Sequence, residues 1–157
     1  MKIKLIVVGK STFDFVKEGE EVYEKRLMHY LPFEKLVLPE IKNPKNLSLE
    51  ELKKKEGDLI LSKITNHDFL VLLDENGNHS SSTKFASWLD QKINEGTRSM
   101  VFVIGGAFGF SKEVYERANQ LISLSKMTFS HQLVRVIFLE QLYRAQTILK
   151  GEPYHHE

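Results

Sequence analysis

Cysteine is absent from the 157 residues of this chain. Disulfides and thiolate metal sites are therefore excluded, and a reducing compartment is permitted. Long apolar runs are missing too. The longest fall far short of the roughly 20 residues a membrane span needs, and the opening MKIKLIVVGK sets a lysine on each side of an apolar core too short for a secretory signal. A soluble cytoplasmic protein with no membrane partner is the expectation. Charge of one sign is also lacking, since 22 Lys and Arg stand against 21 Asp and Glu and leave a formal net charge of +1. No global field would gather nucleic acid, so an RNA or DNA partner has to be held by a local patch. No linker, repeat or low-complexity block divides the chain. Its length suits one domain over 1–157, burying roughly two-thirds of the surface its unfolded form exposes.

Four apolar runs have the length and β-branched content of strands: 3–8, 36–38 with Phe33, 69–73 and 100–104, with 121–124 a weaker fifth. Runs that are apolar on successive residues suit strands covered on both faces. Between them stand segments of helical period. In SSSTKFASWLDQKINEG, Phe85, Trp88, Leu89 and Ile93 form a stripe interrupted only by the stem of Lys92. Ser82 or Thr83 would cap its start and Gly96 would end it. Tyr23, Leu27 and Tyr30 mark an earlier helix, and Leu49, Leu52, Leu59 and Ile60 a highly charged one with a face in water. Strand and helix in alternation predict an α/β fold with a mostly parallel sheet flanked by helices. From Gln132 to Leu149 apolar residues surround the helix almost entirely, so it is buried on more than one side. The covering surface is either the core of a monomer or a subunit interface.

Three segments stand where strands should end: LLDENGN at 72–78, VIGGAFGFS at 103–111, and the polar elbow LSKMTFSH at 124–131, which interrupts two apolar stretches. Ligands of open parallel sheets bind at the carboxyl ends of the strands, so all three could border one pocket. Gly105, Gly106 and Gly109 follow a strand directly, and Ser111 would cap a helix beginning near Lys112. The spacing fits neither a dinucleotide fingerprint, which would need glycine at Ala107, nor a phosphate loop. A glycine turn with no ligand stays open as the alternative. DENG is a turn signal, and Asp74 is either a solvated turn residue or a holder of a ribose hydroxyl or metal. His29, His67 and His79 sit in surface contexts. His131 lies one helical turn from Arg135, so both could face one crevice, or His131 could simply satisfy backbone at a helix start. Arg144 pairs with Glu140 at four residues as an ordinary surface ion pair, and GEPYHHE looks like a frayed end with too few histidines for a metal site.

The whole chain resembles the SPOUT-type ribosomal RNA large subunit methyltransferase H family, which methylates N3 of a pseudouridine in 23S ribosomal RNA. The resemblance is carried by VVGK at 7–10, YEKRL at 23–27, KEG at 55–57, VFVIGG at 101–106, ISLSKMTFSHQLVRV at 122–136, EQLYRA at 140–145 and PYH at 153–155. It implies a trefoil-knotted α/β fold and a homodimer whose interface uses the last helix. The elbow would then belong to the knot crossing, with its backbone turned to a cofactor. The resemblance implies that S-adenosylmethionine is contacted at Leu73, Gly105, Gly106, Leu124, Ser125, Lys126, Met127, Thr128 and Phe129. It implies no metal, and as substrate the large-subunit rRNA within the ribosome.

His131 or His155 would then assist deprotonation, Arg135 or Arg144 would stabilise charge on the base or grip phosphate, and Tyr154 would stack on a displaced base. Two departures from the family pattern stand out. Ser130 replaces the usual proline, leaving the elbow less rigid, and Ala107 and Phe108 replace polar pairs. The competing readings are a nucleotide-binding hydrolase and a non-catalytic ribosome-binding module.

Overall fold

The computed structural model describes residues 1–156. Its elements follow in strict alternation: β1 (Lys2–Val8), α1 (Asp14–Leu27), β2 (Phe33–Leu38), α2 (Leu49–Leu61), β3 (Phe69–His79), α3 (Ser82–Asn94), β4 (Ser99–Ile104), α4 (Lys112–Arg117), β5 (Gln120–Ser123) and α5 (Leu133–Leu149). The five strands form one sheet in the order β2-β1-β4-β3-β5, and every neighbouring pair is parallel. The expected α/β architecture with helices on both sides is what the chain adopts.

The continuous apolar runs split by parity between the two faces, as the period of two in a strand requires. Ile3, Leu5, Val7, Val71, Met100, Phe102 and Ile104 point to one side, where α1, α3 and α5 pack with Leu27, Phe85, Leu89, Phe138 and Leu142. Ile6, Val8, Leu70, Leu72, Val101 and Val103 point to the other, against Ile60 of α2 and Val114 of α4. Burying a Leu or Phe side chain is worth about 1.5–3 kcal/mol, and β1 and β4 make that gain on both faces. α5 is the most enclosed helix, touching both α1 and α3.

Several local expectations shift. The cap of α3 is Ser81, whose Oγ accepts from Lys84 N at 3.2 Å, not Ser82 or Thr83. Ile93 is left 40% exposed, so the apolar stripe ends a turn early. Tyr30 lies beyond the end of α1, in the turn that leads to β2. DENG does not end β3. Leu73 and Asn78 both pair with Ile122 of β5, so residues 74–77 bulge out of a strand that resumes afterwards. Gly77 permits it, because a Cβ there would sit 2.5 Å from the backbone of Ile122. Ser111 caps α4 as expected, with its Oγ accepting from Val114 N at 3.4 Å.

Strand order fixes the path of the elbow. β5 lies at one edge of the sheet, whereas the start of α5 is tied to the end of β1, three strand positions away. At about 4.8 Å per strand the chain between them spans roughly 14 Å, and it does so beside the bulge of β3 and the carboxyl end of β4.

Candidate functional site

The bulge of β3, the end of β4 and the elbow enclose a cleft of about 600 Å³, within the range of sites for small organic ligands. Leu73 of β3, Gly105 and Gly106 after β4, and Leu124, Ser125, Met127, Thr128 and Phe129 of the elbow line it together with His131. Lys126 is exposed and stands outside the lining. The bulge of β3 and the ends of β4 and β5, far apart in sequence, thus share one site, close to where ligands of open parallel sheets bind.

The glycine segment is shaped by close approaches. A Cβ on Gly105 would lie 2.9 Å from the Phe110 ring, and one on Gly106 would lie 2.7 Å from Glu56 Oε2. Gly106 N donates to Glu56 Oε1 at 2.9 Å. Burial pushes the Glu56 carboxyl up, the charge of Glu40 adding to it and the Gly106 hydrogen bond opposing it. The elbow is stitched by its own serines: Ser123 Oγ donates to Ser125 O (2.9 Å), Ser125 Oγ accepts from Met127 N (2.9 Å), and Ser130 Oγ accepts from Leu133 N (3.1 Å). Ser130 therefore caps the first turn leading into α5, a stiffening of a different kind from the ring restraint of proline. Met127 remains 77% exposed and Phe108 59%.

Two residues of the lining carried no signal in the sequence. Tyr115 Oη donates to Asp74 Oδ2 at 2.5 Å, tying α4 to the bulge of β3 across the mouth of the cleft. Burial and the Asp74 carboxylate push its phenol up to about 12, so it holds its proton at ordinary pH. Phe110 packs edge-on against Tyr115 at 5.7 Å. Only their position after a glycine loop could have marked them.

Arg135 does not share the crevice with His131. It is 1% exposed and turned to the end of β1. Its Nη2 donates to Val8 O (2.7 Å), its Nη1 to Gly9 O (2.9 Å) and Ser11 Oγ (3.1 Å), and its Nε to His131 O (3.1 Å). The fork of a guanidinium matches several acceptors at once, and β1 ends in bare carbonyls that need donors. Gln132 ties the same corner, accepting from Thr12 N at 2.9 Å.

Arg144, Tyr154 and His155 form a second group outside the cleft. Arg144 Nε and Nη2 donate to Glu140 Oε1 at 3.0 and 2.5 Å, Tyr154 Oη donates to the same oxygen at 3.1 Å, and Arg144 Nη1 lies 3.2 Å from His155 Nδ1. The guanidinium carbon sits 4.7 Å from the centre of the Tyr154 ring, which packs edge-on on Tyr143 at 4.8 Å. The tail is therefore not frayed at Tyr154 and His155. The hydrogen bonds to Glu140 hold the Arg144 charge firmly, and burial first, then Tyr23 and Glu140, push the Tyr154 phenol up. His29, His67 and His79 are exposed, as expected. Among the described residues no group of three His, Cys, Asp or Glu side chains is placed to hold a metal ion, and no helix is long and apolar enough to cross a membrane.

Residues 1–155 match the family model described as "Predicted SPOUT methyltransferase". The proteins named ribosomal RNA large subunit methyltransferase H from Parabacteroides distasonis and Christiangramia forsetii are 54% and 53% identical to this chain. The first match covers 100% of both chains and the second 99% of both. Among solved structures, a protein of Neisseria gonorrhoeae assigned to the methylase family superposes with a TM-score of 0.51 at 18% identity, over 99% of this chain and 86% of its own. That last likeness concerns the fold.

Proposed function

From the premise that the chain belongs to the SPOUT methyltransferase family, within the ribosomal RNA large subunit methyltransferase H group, we propose that it methylates N3 of a pseudouridine in 23S ribosomal RNA. It acts on the assembled ribosome in the cytoplasm, as a homodimer using S-adenosylmethionine, with residues 1–157 forming one trefoil-knotted domain. One observation carries the reading. The residues of a polar elbow, a glycine turn and Leu73 line a single cleft large enough for a nucleoside-sized ligand.

The cleft suits this cofactor in its chemistry. Leu73, Ile104, Leu124 and Val134 offer apolar contact for a purine ring, while Gly105, Gly106 and the elbow offer backbone hydrogen-bonding groups beside it. When bound, S-adenosylmethionine supplies an electrophilic methyl group. The chain's own residues orient the acceptor and manage its proton, and such positioning is worth about 7–11 kcal/mol of barrier. His131 lines the cleft wall, which supports it as the group that takes the N3 proton as attack proceeds. Arg135 acts by positioning, since its donors are committed to β1 and to His131 O.

Arg144, Tyr154 and His155 reach a cleft through the dimer. Val134 lines the cleft of its own chain, and Arg144 lies ten residues further along α5, about 15 Å at helical rise. A second subunit would present its Arg144 group to this cleft, where the cation stabilises charge on the base, His155 shares proton transfer and Tyr154 stacks on the base. Near-neutral net charge favours a substrate whose shape and protein neighbours add contacts, as the ribosome provides.

The test is transfer of labelled methyl from S-adenosylmethionine to ribosomes that lack the modification, with nucleoside mapping of the product. Label at N3 of pseudouridine is expected, and single-turnover rates should fall for His131→Ala, His155→Ala and Arg144→Ala. Ribosome binding without label transfer, or a melting temperature raised by nucleoside triphosphate and not by S-adenosylhomocysteine, would overturn the reading. Equal rates on a naked RNA hairpin would remove the assembled ribosome from it.

A further inference from the structure

The KEG segment at 55–57 lies on α2 and contributes no wall to the cleft, yet two of its residues hold both ends of the glycine loop. Glu56 Oε1 accepts from Gly106 N at 2.9 Å, and the absent Cβ of Gly106 lets Glu56 Oε2 lie where a side chain would stand, 2.7 Å from that position. Gly57, the next residue, is fully packed, and a Cβ there would lie 2.3 Å from Ser111 Oγ and 3.1 Å from Val114 Cγ2. Glu56 therefore fixes the start of the 105–111 loop, and Gly57 lets α2 seat its end at the cap of α4.

The direction of the clamp matters. In a planar trans peptide the carbonyl of one residue and the N–H of the next point opposite ways, and no peptide among the described residues is cis. With Gly106 N–H drawn towards α2, the Gly105 carbonyl is turned the other way, away from α2, and Gly105 itself lines the cleft. A carbonyl held there is a fixed acceptor.

We infer that Glu56 is a positioning residue for cofactor binding: by holding Gly106 N–H from behind, it aims the Gly105 carbonyl at an N–H donor of the bound S-adenosylmethionine. The inference rests on the cofactor reading above. It assigns to an acidic residue outside the cleft a share of the affinity inside it. Glutamine keeps an acceptor oxygen at the same reach and alanine does not, so the two replacements separate the hydrogen bond from packing.

The experiment is calorimetry with S-adenosylhomocysteine on wild type, Glu56→Ala and Glu56→Gln, joined to steady-state kinetics and to amide exchange of the ligand-free proteins. For Glu56→Ala, dissociation constant and KM for the cofactor should rise about tenfold, as expected for a lost bond to a charged group, with kcat at saturating cofactor nearly kept. Glu56→Gln should restore affinity to within about threefold. Exchange at Gly106 should speed up in Glu56→Ala and stay slow in Glu56→Gln. Wild-type affinity in Glu56→Ala, or equal losses in both variants, would overturn the inference and leave the cofactor reading intact. If wild type bound no S-adenosylhomocysteine, the cofactor reading would fall and this role of Glu56 with it, while exchange would still report whether the clamp exists.

Discussion

Arg135 and Arg144 stand nine residues apart on one helix, and they do opposite work. Arg135 is sealed at the start of α5, its donors shared among Val8 O, Gly9 O, Ser11 Oγ and His131 O. Burial pushes its pKa down, and the charges of Glu20 and Glu40 oppose that shift. Arg144 is half-buried, paired with one carboxylate, with a ring on one side and a histidine beside it. The first arrangement locks the elbow to β1 and buries the guanidinium away from the cleft. The second holds its guanidinium partly exposed, paired with Glu140 and backed by aromatic rings. Identical residues on identical secondary structure are separated by what the tertiary fold places opposite them.

The largest expected effect tests the locked member. Arg135→Ala leaves buried carbonyls without donors and should cost about 3–5 kcal/mol, a fall in melting temperature on the order of 10 °C. Arg135→Lys should recover only part of this, because an ammonium lacks the fork. A melting temperature within a degree or two of wild type in Arg135→Ala would break the contrast.

Arg144→Ala should do the reverse. Stability should change by about 1 kcal/mol or less, as a partly exposed ion pair implies, while the methyl-transfer rate drops on the order of a hundredfold, the usual loss for a donor that meets developing charge. Full activity in this variant would place Arg144 with Arg135 among the structural residues.

Gly57→Ala sharpens the account of the cleft end. Alanine in mid-helix is favoured over glycine by about 1 kcal/mol, but its methyl would meet Ser111 Oγ at 2.3 Å. A net loss of about 1–3 kcal/mol is expected in chemical denaturation, as for other overpacked sites. A gain in stability would mean that α2 can retreat from the loop.

The smallest effect is on pH. Burial raises the Glu56 carboxyl in the folded state, so the folded protein binds the proton more tightly than the unfolded one. Its contribution is fully present below the unfolded pKa and is lost as pH rises through the folded pKa. Wild-type stability measured relative to Glu56→Gln should therefore decline from about pH 4.5 upwards and then level off. A relative stability that rises over that window would reverse the assigned cause.

Much of the framework is legible along the chain. Apolar residues in unbroken runs identify strands buried on both faces, the 3.6-residue stripes identify helices, and Gly105, Gly106 and Ser111 mark a loop feeding a helix start. Residues without local periodicity were not legible. Glu56 stands in a motif of the resemblance but shows no role along the chain, and Tyr115 carries no signal, because their partners Gly106 and Asp74 lie 50 and 41 residues away. Arg135 departs from its expected place for a related reason. Helical spacing puts it on the side of His131, but a turn of helix leaves a long side chain free to swing to whichever acceptors the neighbouring strand leaves bare.

By itself the sequence determined the alternation of elements, the two-faced core and the family, since each depends on local pattern or on residue identity at fixed spacing. The sequence allowed that three segments could border one pocket; the tertiary structure alone decided that one arginine is sealed and the other partly exposed, and that an acidic side chain stands behind the glycine loop. These follow from strand order, which brings β1 and β5 to opposite sides of β3 and β4 and makes the elbow cross between them. No interval along the chain encodes that crossing.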